Sequence, residues 1–522
     1  MKSIKLFWGT VLLFIAIIGG ANTYKILGIF PSMLKSHFFI GSSLMKGLAE
    51  KGHQVTVISP FPQKKPLNNY HDVVTSKVLD IFKDRSNNTV NMRDNTFIDS
   101  IKEVYGLGMV ITNSTLSEPS VQKLLASDEK FDAVICEVFV NDALFGIAEH
   151  FNAPLIGLST FGAYLWNTEL VGSPSPPSYI PSELLPFGQH MSLSERIQNL
   201  IYKSIEYYFY NFDFLPIQEN LFNRYFPNSK LGLDKIRKNT ALILLNSHVS
   251  LGQSRPYVPN MIEVGGIHIN QSQKTELPDG IKKFLDDAKD GAIYFSMGSG
   301  MKSSSMSIEI REAILGTFKS LKQRVLWKFE DTNLPGKSEN VMIKDWFPQQ
   351  EVLAHPNVKI FITHGGLLST FETIYVGKPI IGIPMFADQF MNTARSAAEG
   401  YGIALDYTKL NKKVFTEAIN EMLNNPKYTK KAKEVSQLYR DKPLQPMELA
   451  TYWVEFIAKH KGAPHLHNAG QDLSFIQYHN VDALSILIGG ILLIVLLVIF
   501  VLYKLIKTLI GRKDSKVKEK AN

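Results

Sequence analysis

Two hydrophobic periods alternate along the chain. Lys25–Phe30 (KILGIF) is a short apolar run, Phe38–Glu50 repeats apolar positions at Ile40, Leu44 and Leu48, and Gln54–Ser59 (QVTVIS) is apolar and β-branched again. The outer runs predict strands and the middle one a helix, stopped by Lys51-Gly52-His53. Strand, helix and strand in that order make a βαβ unit with parallel strands and a right-handed crossover. The pattern returns as a strand at Ala133–Ile135, a helix at Asp142–His150 and a strand at Pro154–Leu158. A second series opens with a strand at Ala292–Ser296 and a helix at Ser307–Leu321. Strands follow at Arg324–Phe329, Val341–Lys344 and Val358–Thr363, then a helix at Ser369–Val376, then strands at Ile380–Pro384 and Gly402–Asp406.

Between the two series, the polar stretch 270–282, with Pro278-Asp279-Gly280, reads as a linker. The expected body is therefore α/β: two facing Rossmann-like halves, residues 22–272 and 280–460, with ligands in the cleft at the carboxyl ends of the strands. Pro174–Pro186 must be a loop. The stretch 192–226, dense in Tyr, Phe and Ile, reads as helical. It either lines an apolar ligand site or forms a packed helical layer.

The ends carry a different pattern. Leu6–Ile18 is apolar behind a basic head and before Gly19-Gly20-Ala21, which predicts a signal peptide over residues 1–21. Ala483–Tyr503 has no charge and is long enough to cross a hydrocarbon core of about 30 Å. Residues 461–482 are membrane-proximal, and 504–522 form a basic tail. Positive charge marks the cytoplasmic side, so a single-pass type I topology with a luminal body is expected. Lys518 and Lys520, near the end of the chain, resemble a dilysine signal for the endoplasmic reticulum membrane. Three Asn-x-Ser/Thr sequons, at Asn87, Asn113 and Asn270, fit glycosylated surface loops.

Composition then removes whole classes. The chain has 522 residues, 45% hydrophobic and 20% charged, which excludes a disordered or low-complexity protein. One cysteine, Cys136, excludes a disulfide scaffold and a Cys-rich zinc module. The net charge is +8, of which residues 1–21 supply +2 and 504–522 supply +5, leaving +1 for everything between. The basic balance concerns a membrane and not nucleic acid.

The densest chemical signal is residues 346–389. An apolar strand ends in Thr363-His364-Gly365-Gly366 and a helix opens just after it. Glycines admit a ligand close to the backbone, and a helix start offers free N–H groups to a phosphate. His364 can donate to a phosphate oxygen. Glu372, expected on the first turn, can accept from a ribose diol. Trp346 can stack on a base, and Gln349 can bond the base edge or a ribose hydroxyl. Ser369-x-x-Glu372 also fits a plain capping box.

This block resembles the signature of the membrane-bound animal UDP-glycosyltransferases, most like the insect members. EKGHQVTVISP, NSHVSL, VPNMIEVGGIH, YFSMGS, VLWKFE and QDLSFIQYH extend the likeness over nearly the whole chain. The resemblance implies two facing Rossmann-like domains of the GT-B type. It implies Trp346 and Gln349 on uracil and ribose, Glu372 on the ribose, Ser299, His364, Gly366 and Ser369 on the diphosphate, and Asp388 and Gln389 on the sugar. Leu368 stands where many relatives have Asn.

It further implies His37 as the base, at the start of the first helix, and Glu137 as its partner where many relatives have Asp. His53 and His71 read as turn and surface histidines. The implied reaction is inverting transfer of a hexose from a UDP-sugar, a co-substrate and not a cofactor, to a hydroxyl of a small lipophilic acceptor. No Asp-x-Asp pair occurs, so no metal is expected. Glucose is expected over glucuronate, because Leu245 stands where the glucuronosyl relatives place an Arg; Lys328 and Arg255 are the other cations that could approach the sugar. A UDP-glucuronosyltransferase, a glycolipid or sterol glycosyltransferase, and a non-catalytic escort protein are the competing readings, and a homo-oligomer is possible.

Overall fold

The computed structural model describes residues 23–85, 96–269 and 276–519. The expected signal peptide, Asn87, Asn270 and Lys520 lie outside them. The chain forms two compact units, one up to Leu466 and one from His467.

The first unit holds two parallel sheets. One runs in the order β3-β2-β1-β4-β5-β6-β7 and the other β10-β9-β8-β11-β12-β13. In the first, β1 is Lys25–Ile29, β2 Gln54–Ser59, β3 Tyr70–Val74, β4 Ala133–Glu137, β5 Leu155–Ser159, β6 Leu242–Leu245 and β7 Met261–Glu263. In the second, β8 is Ala292–Ser296, β9 Arg324–Lys328, β10 Val341–Lys344, β11 Val358–Thr363, β12 Ile380–Gly382 and β13 Gly402–Ala404. Strands β4, β5, β6 and β8 are buried at every position, as parallel strands covered on both faces must be.

Strand order reverses between β1 and β4 in one sheet and between β8 and β11 in the other. A crevice opens at each such switch point, beyond the carboxyl ends of the strands. The two crevices take the chain's most chemical residues: the helix Lys35–Glu50 follows β1, Glu137 ends β4, and His364 follows β11.

Three sequence expectations are revised. The linker stops before the helix Asp279–Asp286, whose Ile281 and Leu285 are buried in the second half's core. The helix Pro446–His460 packs with the first half: Ala450, Val454, Ile457 and Ala458 join Ile26, Leu44 and Leu48 in one apolar cluster. A division by sequence at residue 460 assigns that helix to the wrong half of the packing. The same helix engages His53, which stands in the turn before β2, as expected, but is buried, with Nε2 3.0 Å from Glu455 Oε1.

The second unit contains the helix Val481–Glu519, of which Val481–Ile510 is the one described helix long and apolar enough to cross a membrane. Asn113 is exposed but lies in the helix Phe97–Leu116, not in a loop, and its Oδ1 accepts from the Tyr225 hydroxyl at 3.1 Å.

Candidate active site

His37 is the third residue of the helix Lys35–Glu50 and is buried. Its Nδ1 lies 2.5 Å from Glu137 Oε1, and Glu137 is buried at the end of β4. An ionised carboxylate only accepts, so Nδ1 carries the proton and Nε2 keeps a lone pair. Thr160 Oγ1 stands 3.2 Å from the same Nδ1. Phe139 and Phe161 meet the imidazole edge-on, with ring centroids 4.9 and 5.1 Å away. Among the described residues Nε2 has no hydrogen-bond partner. The ring is held at one nitrogen and by two aromatic neighbours, and the other nitrogen is free to act.

Asp388 and Gln389 begin the helix Gln389–Ala398 in the second half, and both are buried. Burial pushes the Asp388 carboxyl up to about 6. A hydrogen bond from Asn392 Nδ2 at 2.8 Å pulls the other way, as does His37 when its ring is protonated. Asp388 thus lies within the electrostatic reach of His37 across the cleft. Gln389 turns its carbonyl oxygen inward, where it accepts from the Met385 and Phe386 N–H groups at 2.9 and 3.2 Å. That fixes the amide and leaves its NH₂ to donate. Asp388 lines a cavity together with Phe161, Tyr164, Glu183, Leu367, Met391 and Arg395, among others.

His364 sits between two glycines that its ring requires. A Cβ at either Gly298 or Gly366 would collide with the imidazole, and Gly298 also has φ +79°. Burial, helped by the charge of Lys328, lowers the His364 pKa to about 4. The ring is therefore neutral near pH 7 and donates through one N–H. Gly366 caps the helix Leu367–Val376 without any side-chain bond. Ser299 is exposed on the loop after β8.

Trp346 is half exposed after β10, and Lys328 Nζ lies over its ring, 6.0 Å from the centroid. Gln349 Nε2 donates to Glu372 Oε2 at 2.6 Å and to Ser369 Oγ at 2.9 Å. Gln350 Nε2 donates to Glu372 Oε1 at 3.0 Å, and His268 Nε2 stands 3.5 Å from the same oxygen.

Two expectations change here. Glu372 lies in the second turn of its helix, because the helix opens at Leu367, and the Ser369-to-Glu372 capping box is not formed. Leu245 is fully buried in the first half's apolar layer and is not among the residues that line the cavity of Asp388. Leu368, in the position of the relatives' Asn, packs against the first half's apolar cluster.

The geometry also adds Thr160, Gln350, His268 and Asn392. Asn392 was within reach of sequence reasoning, being one helical turn after Asp388. The others depend on long-range packing.

The comparisons agree with this geometry. The profile of the family described as UDP-glucoronosyl and UDP-glucosyl transferase matches residues 26–520. A UDP-glycosyltransferase, UGT5, of Dactylopius coccus is 38% identical over 92% of this chain and 91% of its own length. A 2-hydroxyacylsphingosine 1-beta-galactosyltransferase of Rattus norvegicus is 30% identical over 95% of this chain and 92% of its own. The solved calicheamicin glycosyltransferase CalG4 superposes with a TM-score of 0.56 at 16% identity, covering 84% of this chain and 99% of that one. That likeness gives the GT-B fold. With a signature matched along nearly its whole length and a histidine–carboxylate pair set into that fold, the chain belongs to the UDP-glucoronosyl and UDP-glucosyl transferase family and is a glycosyltransferase.

Proposed function

We propose that the chain transfers glucose from UDP-glucose to a hydroxyl of a small lipophilic acceptor, with inversion at the anomeric carbon and without a metal. The observation that carries this reading is the buried His37–Glu137 pair, in which Glu137 holds Nδ1 and leaves Nε2 without a partner among the described residues. His37 Nε2 takes the proton of the acceptor hydroxyl. The oxygen attacks the anomeric carbon, the bond to UDP breaks on the far side, and its electron pair goes to the diphosphate. An α-linked donor gives a β-glycoside. Glu137 holds the imidazole in its tautomer and stabilises the imidazolium that forms.

Charge that develops on the diphosphate would meet the neutral His364 N–H, Ser299, Ser369 and the N–H groups at Gly366. Trp346 and Gln349 would hold the base and ribose, and Glu372 the ribose diol. Asp388 and the Gln389 NH₂ would take the sugar hydroxyls.

The body is proposed to be luminal in the endoplasmic reticulum, with Val481–Ile510 as the span and the basic end cytosolic. The sequons of such a body would be open to glycosylation. The test is the purified full chain in detergent, with EDTA throughout, offered radiolabelled UDP-sugars against phenols, flavonoids and steroids. Glycoside with inverted anomeric configuration is expected. Turnover that returns only with added magnesium, or a retained configuration, would overturn the mechanism.

A further inference from the structure

His268 is buried, yet neither of its ring nitrogens is bonded. The side chain is 4% exposed, and among the described residues neither Nδ1 nor Nε2 has a hydrogen-bond partner. Burying an imidazole without partners costs free energy, and such a group in a native fold needs a physical reason. Its place in the chain supplies one. It stands in the turn after β7, where Gly266 has φ +83° and the Tyr439 hydroxyl donates to the Gly265 carbonyl at 2.9 Å. A Cβ at Gly265 would collide with Phe371, so this turn lies directly against the helix Leu367–Val376. Ile269 joins Phe371 and Ile374 in one apolar cluster. The turn that ends the first half is thereby pressed onto the helix that carries Glu372.

The two oxygens of Glu372 are supported from different halves. Oε2 accepts from Gln349, whose Nε2 also donates to Ser369 Oγ, and both partners belong to the second half. Oε1 accepts from Gln350, and Gln350 Nε2 donates as well to the His268 carbonyl at 3.2 Å. His268 Nε2 stands 3.5 Å from that same Oε1, and the Glu372 side chain is itself only 10% exposed. Residue 268 thus reaches Oε1 twice, through its carbonyl by way of Gln350 and through its ring. An ionised carboxylate only accepts, so the tautomer that suits Oε1 carries its proton on Nε2. At 3.5 Å the N–H is just beyond a formed bond, and a small rotation of either side chain closes it.

We propose that His268 is a positioning residue of the donor site: its ring N–H holds Glu372 Oε1 and keeps the carboxylate aimed at the ribose of the UDP-sugar. Gln349 and Gln350 are adjacent residues of one short helix, Gln349–Ala354, so alone they let the carboxylate shift with that helix. His268 fixes it against the first half. The nucleotide is then held by both halves and not by the second alone. The proposal rests on the reading that Glu372 takes the ribose diol.

The test is calorimetric titration of the full chain in detergent with UDP and with its dideoxy analogue, which lacks both ribose hydroxyls. His268→Phe keeps a ring in place and breaks no formed side-chain bond. It should weaken UDP about tenfold, the lower end for a bond to a charged group, and leave the affinity for the dideoxy analogue unchanged. His268→Gln, which presents an amide N–H near the place of Nε2, should restore most of the UDP affinity. In a Glu372→Ala background His268→Phe should cost nothing further, because residues that act through one another are not additive. An equal loss for both nucleotides would overturn the proposal, since that marks packing alone. So would UDP affinity that His268→Phe leaves unchanged, or a Gln variant as weak as the Phe one. Should the Phe variant not fold, His268→Leu against His268→Gln makes the same comparison. The underlying reading fails separately: if UDP and its dideoxy analogue bind the parent chain equally, the ribose is not at Glu372 at all.

Discussion

His37 Nδ1 lies 2.5 Å from Glu137 Oε1, although the two residues are 100 positions apart in the chain. Strands β1 and β4 are neighbours, and that adjacency brings the helix after one to the end of the other. His37→Ala should abolish transfer while leaving UDP binding nearly unchanged. Loss of a general base costs about 10²–10⁴-fold in rate. Glu137→Gln should lose less, because Thr160 still touches the ring, and Glu137→Asp less again. Retention by His37→Ala of a third or more of the rate would remove His37 from the base role.

Glu372 accepts from Gln349 and Gln350 through different oxygens, so its carboxylate is held rigid before any nucleotide arrives. Glu372→Ala should weaken UDP binding by about 1.5–3 kcal/mol, the worth of a bond to a charged group. Gln349→Ala should weaken it too, by losing a contact and by freeing the carboxylate. Calorimetric titration with UDP decides this, and unchanged affinity in both variants would take the ribose away from this cluster.

Lys518 is within the described helix that continues the span, and Lys520 lies just past it. Replacing both by Ser should release the protein to the cell surface with complex glycans. Continued sensitivity to a high-mannose-specific endoglycosidase would show that retention comes from another segment.

Glu206 supplies a stability prediction with a definite sign. Burial, and next the charge of Glu183, push its carboxyl from 4.5 up to about 8. Between those values the folded state holds a proton that the unfolded state has released, so stability must fall as pH rises from about 4.5 through 8. Glu206→Gln keeps the shape and removes the titration. Its Tm should exceed that of the parent at pH 8 and approach it near pH 5. Parallel Tm curves for the two proteins across that range would refute the assignment.

Local patterns were legible and long-range ones were not. The strand β2 matches its apolar run residue for residue, because each parallel strand announces its own burial. The signature block placed His364 and Gly366 between a strand and a helix, and Glu372 on that helix, as in the structure; the helix Gln389–Ala398 that Asp388 precedes was not read from the sequence. What periodicity could not reveal is which surface an element meets. The helix Pro446–His460 looks like a tail of the second half and packs on the first. The helix Leu193–Tyr208 has an ordinary amphipathic period, yet Leu193, Ile197 and Ile201 are exposed while Asn199 is buried and donates to the carbonyls of Pro177 and Ile180. Glu372 was misplaced by one turn because the helix starts at a glycine cap with no side-chain signal.

The same limitation reshapes the choice of sugar donor. Leu245 is absent as a cation, as the sequence shows, yet it is the last residue of β6 and is fully buried. Leu245→Arg would place a guanidinium in an apolar layer, at a cost of several kcal/mol, and should lower folded yield instead of opening the site to glucuronate. The preference for glucose must then rest on the cleft itself. Lys328 Nζ is committed to Glu330 at 2.7 Å, and Arg255 to Glu183 at 3.0 Å. Asp388 sets a negative charge where the sugar is proposed to lie, which disfavours a second carboxylate. Initial rates at equal donor concentration should therefore favour UDP-glucose over UDP-glucuronate. If glucuronate proved faster, Arg395 would be the cation to examine. It lines the same cavity two turns after Asp388 and makes no ion pair among the described residues. Arg395→Gln would then have to abolish the glucuronate rate selectively.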